Sequence, residues 1–139
     1  MLPLSVALVP QAGAEAGVQA GVTVTVSANS VLLDPTLVQV PVTITCDPMD
    51  VRTNQANAEM RQAVPNQLIA HGSGLAEGPI VCDGQPHPNS YLFWANTSGP
   101  PFSRGSATVS IPLVLCDASF VCQSGGSGIR VTQVRRASP

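Results

Sequence analysis

The sequence predicts an all-β fold, an antiparallel β-sandwich of about 7–9 strands stapled by disulfides, and three observations predict it. Apolar residues alternate with Thr, Ser and Gln at period two along several stretches. Clusters of Gly, Pro, Asn and Asp, drawing on 12 glycines and 13 prolines, recur at turn-like intervals between those stretches. The 4 cysteines are an even number and contain no C-x-x-C pair. At 139 residues the chain is one domain by length, enough to bury a core of its own.

The first element is not a strand. Leu2 to Val9 is a short apolar run, Pro10 breaks it, and Ala14-Glu15-Ala16 has the small-residue spacing of a cleavage site. Residues 1–16 therefore read as the remnant of a secretory signal, and 17–21 as a linker. The run is too short to cross a bilayer. No basic n-region precedes it, so the natural start is expected upstream of Met1. Residues 22–134 then form the sandwich and 135–139 a C-terminal tail carrying Arg135 and Arg136.

Val22-Thr-Val-Thr-Val26 opens the β pattern with one apolar face. After a turn at Asn29-Ser30, Val31–Leu33 and Leu37–Cys46 follow on either side of Asp34-Pro35. Val38, Val40, Val42, Ile44 and Cys46 share one face. Pro41 lacks an N–H, which places this strand at an edge or a bulge, or delays its start. Asn54–Val64 suits either a strand or a short helix. Its position before Pro65-Asn66 and Gln67–Gly72 makes it the first arm of a hairpin. Gly72-Ser73-Gly74 and Glu77-Gly78-Pro79 bracket a loop. Ile80–Cys82 reads as a short strand ending at the turn dipeptide Asp83-Gly84. A polar loop, Gln85 to Ser90, leads into Tyr91–Ala95, and Asn96–Pro101 turns the chain again. Arg104–Cys116 alternates, and Ile129–Val134 closes the domain.

Four cysteines allow three connectivities. The spacing favours Cys46–Cys82, tying an early strand to a later one, and Cys116–Cys122, closing a loop over Asp117–Val121. In the chain-entropy account these loops are worth about 3.8 and about 2.4 kcal/mol. Oxidised cysteines agree with export. Cys46, Cys82 and Trp94 match an immunoglobulin-type core only in outline, because Trp94 follows both cysteines instead of lying between them. An immunoglobulin-like architecture is expected, but not a true immunoglobulin domain.

Several features occur together: the strand ending in Cys46, the Cys82-Asp83-Gly84 turn followed by His87 and Trp94, and the segment Phe102-Ser-Arg-Gly-Ser-Ala-Thr-Val109. With the Cys116 and Cys122 pair and the closing Ile129-Arg-Val-Thr132 strand, they resemble small secreted actinobacterial β-sandwich proteins of unknown function. The similarity runs over residues 22 to 134. It implies export and fold, and it brings no catalytic residues.

Charged residues are only 10% of the chain, against roughly 25% in an average soluble domain, and the net charge is −2. All 6 basic residues are arginines, too few and too scattered to neutralise a nucleic-acid backbone. His71 and His87 are the only histidines and no cysteines are closely paired, so no metal site is expected. Asp47 and Asp50 lack the spacing of a calcium loop. Cys116 and Cys122 lack redox-motif spacing. No cofactor, nucleic acid or transmembrane segment is expected. A nucleophile elbow is also missing; His71 beside Gly72-Ser73-Gly74 is the nearest approach to a hydrolase, and it reads as a turn.

The aromatic run is the most informative chemistry. In a strand Tyr91 and Phe93 face one way and Leu92 and Trp94 the other. Asp83, His87, Tyr91, Phe93 and Trp94 therefore form the candidate ligand surface. The function expected is an exported, non-enzymatic structural or binding module of the cell envelope or extracellular space, with an envelope protein or glycan as partner. One alternative is a carbohydrate-binding or adhesive domain using the Tyr91–Trp94 strand with the Asp83–Asn89 loop. The other is a small secreted hydrolase or inhibitor built on His71, Ser73 and His87.

Overall fold

Residues 18–137 are described in a computed structural model, and strands make up most of them. In chain order they are β1 (Val18–Val26), β2 (Asn29–Asp34), β3 (Leu37–Cys46), β4 (Thr53–Ala56), β5 (Ala58–Val64), β6 (Leu68–Ala76), β7 (His87–Ala95), β8 (Gly105–Cys116) and β9 (Cys122–Arg136). A single 3-10 turn, Pro65–Gln67, joins β5 to β6. The predicted signal remnant, residues 1–16, lies outside the described residues.

Two prolines explain why two of the strands come in pieces. β1 and β2 both run antiparallel to β3 and parallel to β9, so together they fill one strand position. Their break follows the pair Val26↔Val42, where Ser27 meets Pro41. The Ser27 N–H donates to the Pro41 carbonyl at 3.0 Å, and Pro41 has no N–H to return. β3 itself runs unbroken through Pro41 with partners on both sides, so it is neither an edge strand nor bulged there nor late in starting, and the interruption falls on the neighbouring strand position. In the same way β4 and β5 hold one register against β8, from Thr53↔Cys116 through Ala56↔Leu113 to Arg61↔Thr108. Only Asn57 is skipped, and that register sets it opposite Pro112. On its other side Pro112 adjoins a register shift between β8 and β9.

The sheet order β9-β2-β3-β7-β6-β5-β8 returns to β9 through the β8–β9 ladder. The strands thus close into a seven-position barrel, where the sequence predicts a sandwich of two open sheets. Each edge a sandwich would leave free finds a partner: β5 pairs with β6, and β1 and β2 pair with β9. The contacts of β9 with β1 and β2 are parallel, a second departure from the antiparallel expectation.

The core follows the predicted alternation. Val38, Val40, Val42, Ile44 and Cys46 point inward from β3, and Val109, Ile111, Leu113 and Leu115 from β8. Several segments differ from the sequence reading, among them β2, which takes in the predicted turn at Asn29-Ser30. β6 continues through Gly72-Ser73-Gly74, which is a strand and not a loop. A Cβ on Gly72 would lie 2.6 Å from the Phe102 ring, and one on Gly74 2.6 Å from the Phe93 ring. These glycines leave room for two aromatic rings. Ile80–Cys82 is a loop with one bridge, Met49↔Cys82, instead of a strand. β7 begins at His87, inside the predicted polar loop. β9 begins at Cys122, well before Ile129, and takes in Arg135 and Arg136 from the predicted tail, as β1 takes in part of the linker. Its inward residues include Gln123, Ser127 and Thr132, so no apolar alternation marked it.

Both favoured disulfides are formed, Cys46–Cys82 and Cys116–Cys122. They staple the barrel end where β3 and β8 finish. One loop crosses each end, residues 47–52 at the stapled end and 96–104 at the other. No helix among the described residues is long and apolar enough to cross a membrane.

Candidate functional site

The five residues of the expected ligand surface separate into three places. Asp83 and His87 meet at the stapled end, with His87 Nε2 2.8 Å from Asp83 Oδ1. The Gln85 backbone N–H and then His87 hold the Asp83 carboxyl below its ordinary range. Both side chains are well exposed, and the pair folds the turn onto the start of β7. Tyr91 and Phe93 point into the core and are 1% and 0% exposed. Their rings stand 6.2 Å apart. Trp94 points outward at the far end of β7 and is 45% exposed. Seven residues of extended chain separate it from His87, about 23 Å at 3.3 Å per residue. The structure therefore does not bring Asp83 and His87 together with Trp94, and it withdraws Phe93 from the surface.

Trp94 instead gains neighbours that the sequence did not place beside it. Register pairs Trp94 with Ser73 on β6 and Ser73 with Glu59 on β5, giving an outward row across three strands. A depression of about 570 Å³ lies here, lined by Trp94, Ser73, Glu59, Asn57 and Leu75 among others. Arg61 Nη2 sits 3.5 Å from Glu59 Oε2 at its edge.

A second cleft, of about 390 Å³, adjoins the first and shares Ala56, Asn57 and Leu75 with it. It opens because β4 pairs only with β8, leaving its other edge free, while β6 pairs with β5 and stops at Ala76. Asn54, Gln55 and Asn57 line one side, Leu75 and Ala76 the other, with Pro112, Val114 and Tyr91 completing the wall. The Tyr91 hydroxyl is buried and has no hydrogen-bond partner among the described residues. Burial also pushes the Tyr91 phenol above its ordinary range. Leaving a buried hydroxyl unpaired costs about 1–3 kcal/mol. The two hollows adjoin along Ala56, Asn57 and Leu75 to make a groove, with an exposed indole at one end and a buried, unpartnered phenol in the wall of the other.

The groove contains one carboxylate, three carboxamides, two hydroxyls and apolar patches. That set donates to and accepts from neutral polyols, with an aromatic face for stacking. His71 and Ser73 lie on β6, whereas His87 is at the stapled end of β7, so the hydrolase trio is not assembled. No group of three or more potential metal ligands occurs among the described residues. No family model, curated protein or solved structure matches the chain.

Proposed function

We propose that the protein is an exported, non-enzymatic binding module of the cell envelope or extracellular space, whose groove between Trp94 and Tyr91 takes a neutral glycan segment. The barrel's strand order, with β1/β2, β3, β7 and β6 on one side and β5, β8 and β9 on the other, supports reading it as a closed form of the immunoglobulin-like Greek key. The resemblance to small secreted actinobacterial β-sandwich proteins belongs to the same reading. Two disulfides support export.

The observation that carries the ligand class is the unpartnered Tyr91 hydroxyl. A sugar hydroxyl that parts the cleft wall over the buried phenol would satisfy it, Asn57 and Glu59 would bind neighbouring hydroxyls, and Trp94 would cover an apolar sugar face. Because Trp94 is the only tryptophan, its fluorescence reports on the groove alone. Titration with a panel of neutral oligosaccharides should shift Trp94 emission for at least one member. Tyr91→Phe should weaken that member by roughly tenfold, the worth of one hydrogen bond, while the protein stays folded. An unmoved spectrum across the panel would overturn the reading.

A further inference from the structure

We propose a second binding site at the end of the barrel away from the disulfides, where Arg104, Arg135 and Arg136 hold a tetrahedral oxyanion group, a sulfate or a phosphate. A cleft of about 1050 Å³ opens there, with Leu32, Phe102 and Val134 in its apolar lining. The three arginines are half of the chain's six, and among the described residues no Asp or Glu lines the cleft. The other three are engaged elsewhere. Arg52 pairs with Asp50 at 3.0 Å, Arg61 with Glu59, and Arg130 donates to the Ile129 carbonyl at 3.2 Å.

Two features point to a bound anion and not to a merely solvated face. Arg104 directly precedes the last ladder pair, Gly105↔Val134, and Arg135 directly follows it, so cations from two chain segments gather at the end of the β8–β9 ladder and line one cleft. Like charges gathered in one place are destabilising, and a chain of net charge −2 has no general excess of cations to account for it. Arg135 is also oriented: its Nε donates to Asn29 Oδ1 at 2.7 Å. That bond uses the inner nitrogen and leaves both terminal amino groups for a second acceptor, the fork that suits phosphate and sulfate oxygens. The sequence hid this cluster because Arg104 lies about thirty residues before the Arg135-Arg136 pair, and only the β8–β9 ladder joins them.

The test is calorimetric titration of the full chain with sodium sulfate and with inorganic phosphate, against sodium chloride at equal ionic strength. Saturable binding of the oxyanions is expected. Arg104→Gln with Arg135→Gln should lower the affinity at least tenfold, and Arg130→Gln, on the same strand but outside the cleft, should leave it unchanged. The double variant without anion should melt no lower than the parent, because like-charge repulsion has been removed. Oxyanion heats equal to those of chloride together with no cosedimentation with phosphatidylglycerol vesicles, or an equal loss in Arg130→Gln, would overturn the proposal. Cosedimentation with phosphatidylglycerol vesicles, without binding of free phosphate, would place the same group on a lipid headgroup. Binding of free phosphate without cosedimentation would place it on a soluble ligand.

Discussion

Each end of the barrel is crossed by one loop, and the two loops are held by related polar contacts but by different anchors. Residues 47–52 cross the stapled end. There the buried Gln123 carboxamide accepts the Asp47 N–H at 2.9 Å and donates to the Asp47 carbonyl at 2.9 Å. Residues 96–104 cross the opposite end. The buried Gln62 carboxamide accepts the Ser103 N–H at 2.8 Å and donates to the Ser103 carbonyl at 2.7 Å. In each case one inward glutamine satisfies both backbone groups of a loop residue, which would otherwise be stranded away from water. The first loop is also fixed covalently, because Cys46 precedes it and is bonded to Cys82. The second is fixed by packing, with Phe102 2% exposed and seated against Gly72. A covalent tether acts mainly by restricting the unfolded chain, whereas an aromatic plug acts through burial in the folded one. The two ends should therefore fail in different ways.

The largest effect is expected at the plugged end. Phe102→Ala should lower unfolding free energy by about 3–5 kcal/mol in urea titration, since the ring leaves a void over a glycine that cannot fill it. Replacing Cys46 and Cys82 together by Ala should cost up to about 3.8 kcal/mol, the loop-closure value. Its signature is local as well as global. The Met49 N–H donates to the Cys82 carbonyl and the Gly84 N–H to the Cys46 carbonyl, so amide exchange should quicken at Met49 and Gly84. Exchange at Phe102, whose N–H donates to the Pro35 carbonyl at the other end, should follow only the global change.

The glutamines sharpen the comparison. Gln62→Leu strands the Ser103 N–H and carbonyl and should cost about 1–3 kcal/mol. Gln123→Leu strands the same groups of Asp47, but in a loop that the disulfide still holds near its place. The cost of Gln123→Leu should therefore change when Cys46 and Cys82 are also replaced, while the cost of Gln62→Leu should not. A double-mutant cycle for each glutamine measures this, with coupling of 0.5 kcal/mol or more expected only at the stapled end. Equal coupling at both ends would show that the two closures are not independent.

These clamps show why part of the molecule was legible in the sequence and part was not. Local alternation revealed β3 and β8, because Val38 to Cys46 and Ala107 to Leu115 put apolar side chains inward at every second position. The cysteine spacing led to the correct pairing among three. Gln62 and Gln123 sit at inward positions too, but their partners are 41 and 76 residues away, and no periodicity announces a polar residue that belongs in a core. The strand β9 extends beyond the predicted Ile129–Val134 for the same reason. The site divides along the same line. That Trp94 faces away from Tyr91 follows from strand parity. That Ser73, Glu59 and Asn57 stand beside Trp94 depends on the β5–β6–β7 register, and the cleft at Tyr91 depends on β4 having only one partner.

The smallest effect, and the only gain, concerns Tyr91, which belongs to neither end. Its hydroxyl has no partner to lose, so Tyr91→Phe should raise stability at neutral pH by about 1 kcal/mol, the low end of the cost of an unpaired buried hydroxyl, whereas losing either clamp lowers it. A second difference should appear in alkali. Burial raises the phenol above the ordinary tyrosine value of about 10 in the folded state, so above that pH the unfolded chain releases its proton first. The contribution is complete below about pH 10 and is lost as pH rises through the folded value, so stability falls with rising pH in that window. Tyr91 is the only tyrosine, and absorbance near 295 nm reports its ionisation without interference from another phenol. The native chain should titrate later than the urea-unfolded chain. Urea midpoints measured between pH 9 and 11 should decline more steeply for the native sequence than for Tyr91→Phe. Equal slopes would mean that the phenol is reached by solvent through the cleft, which would also remove the reason for assigning a ligand hydroxyl to it.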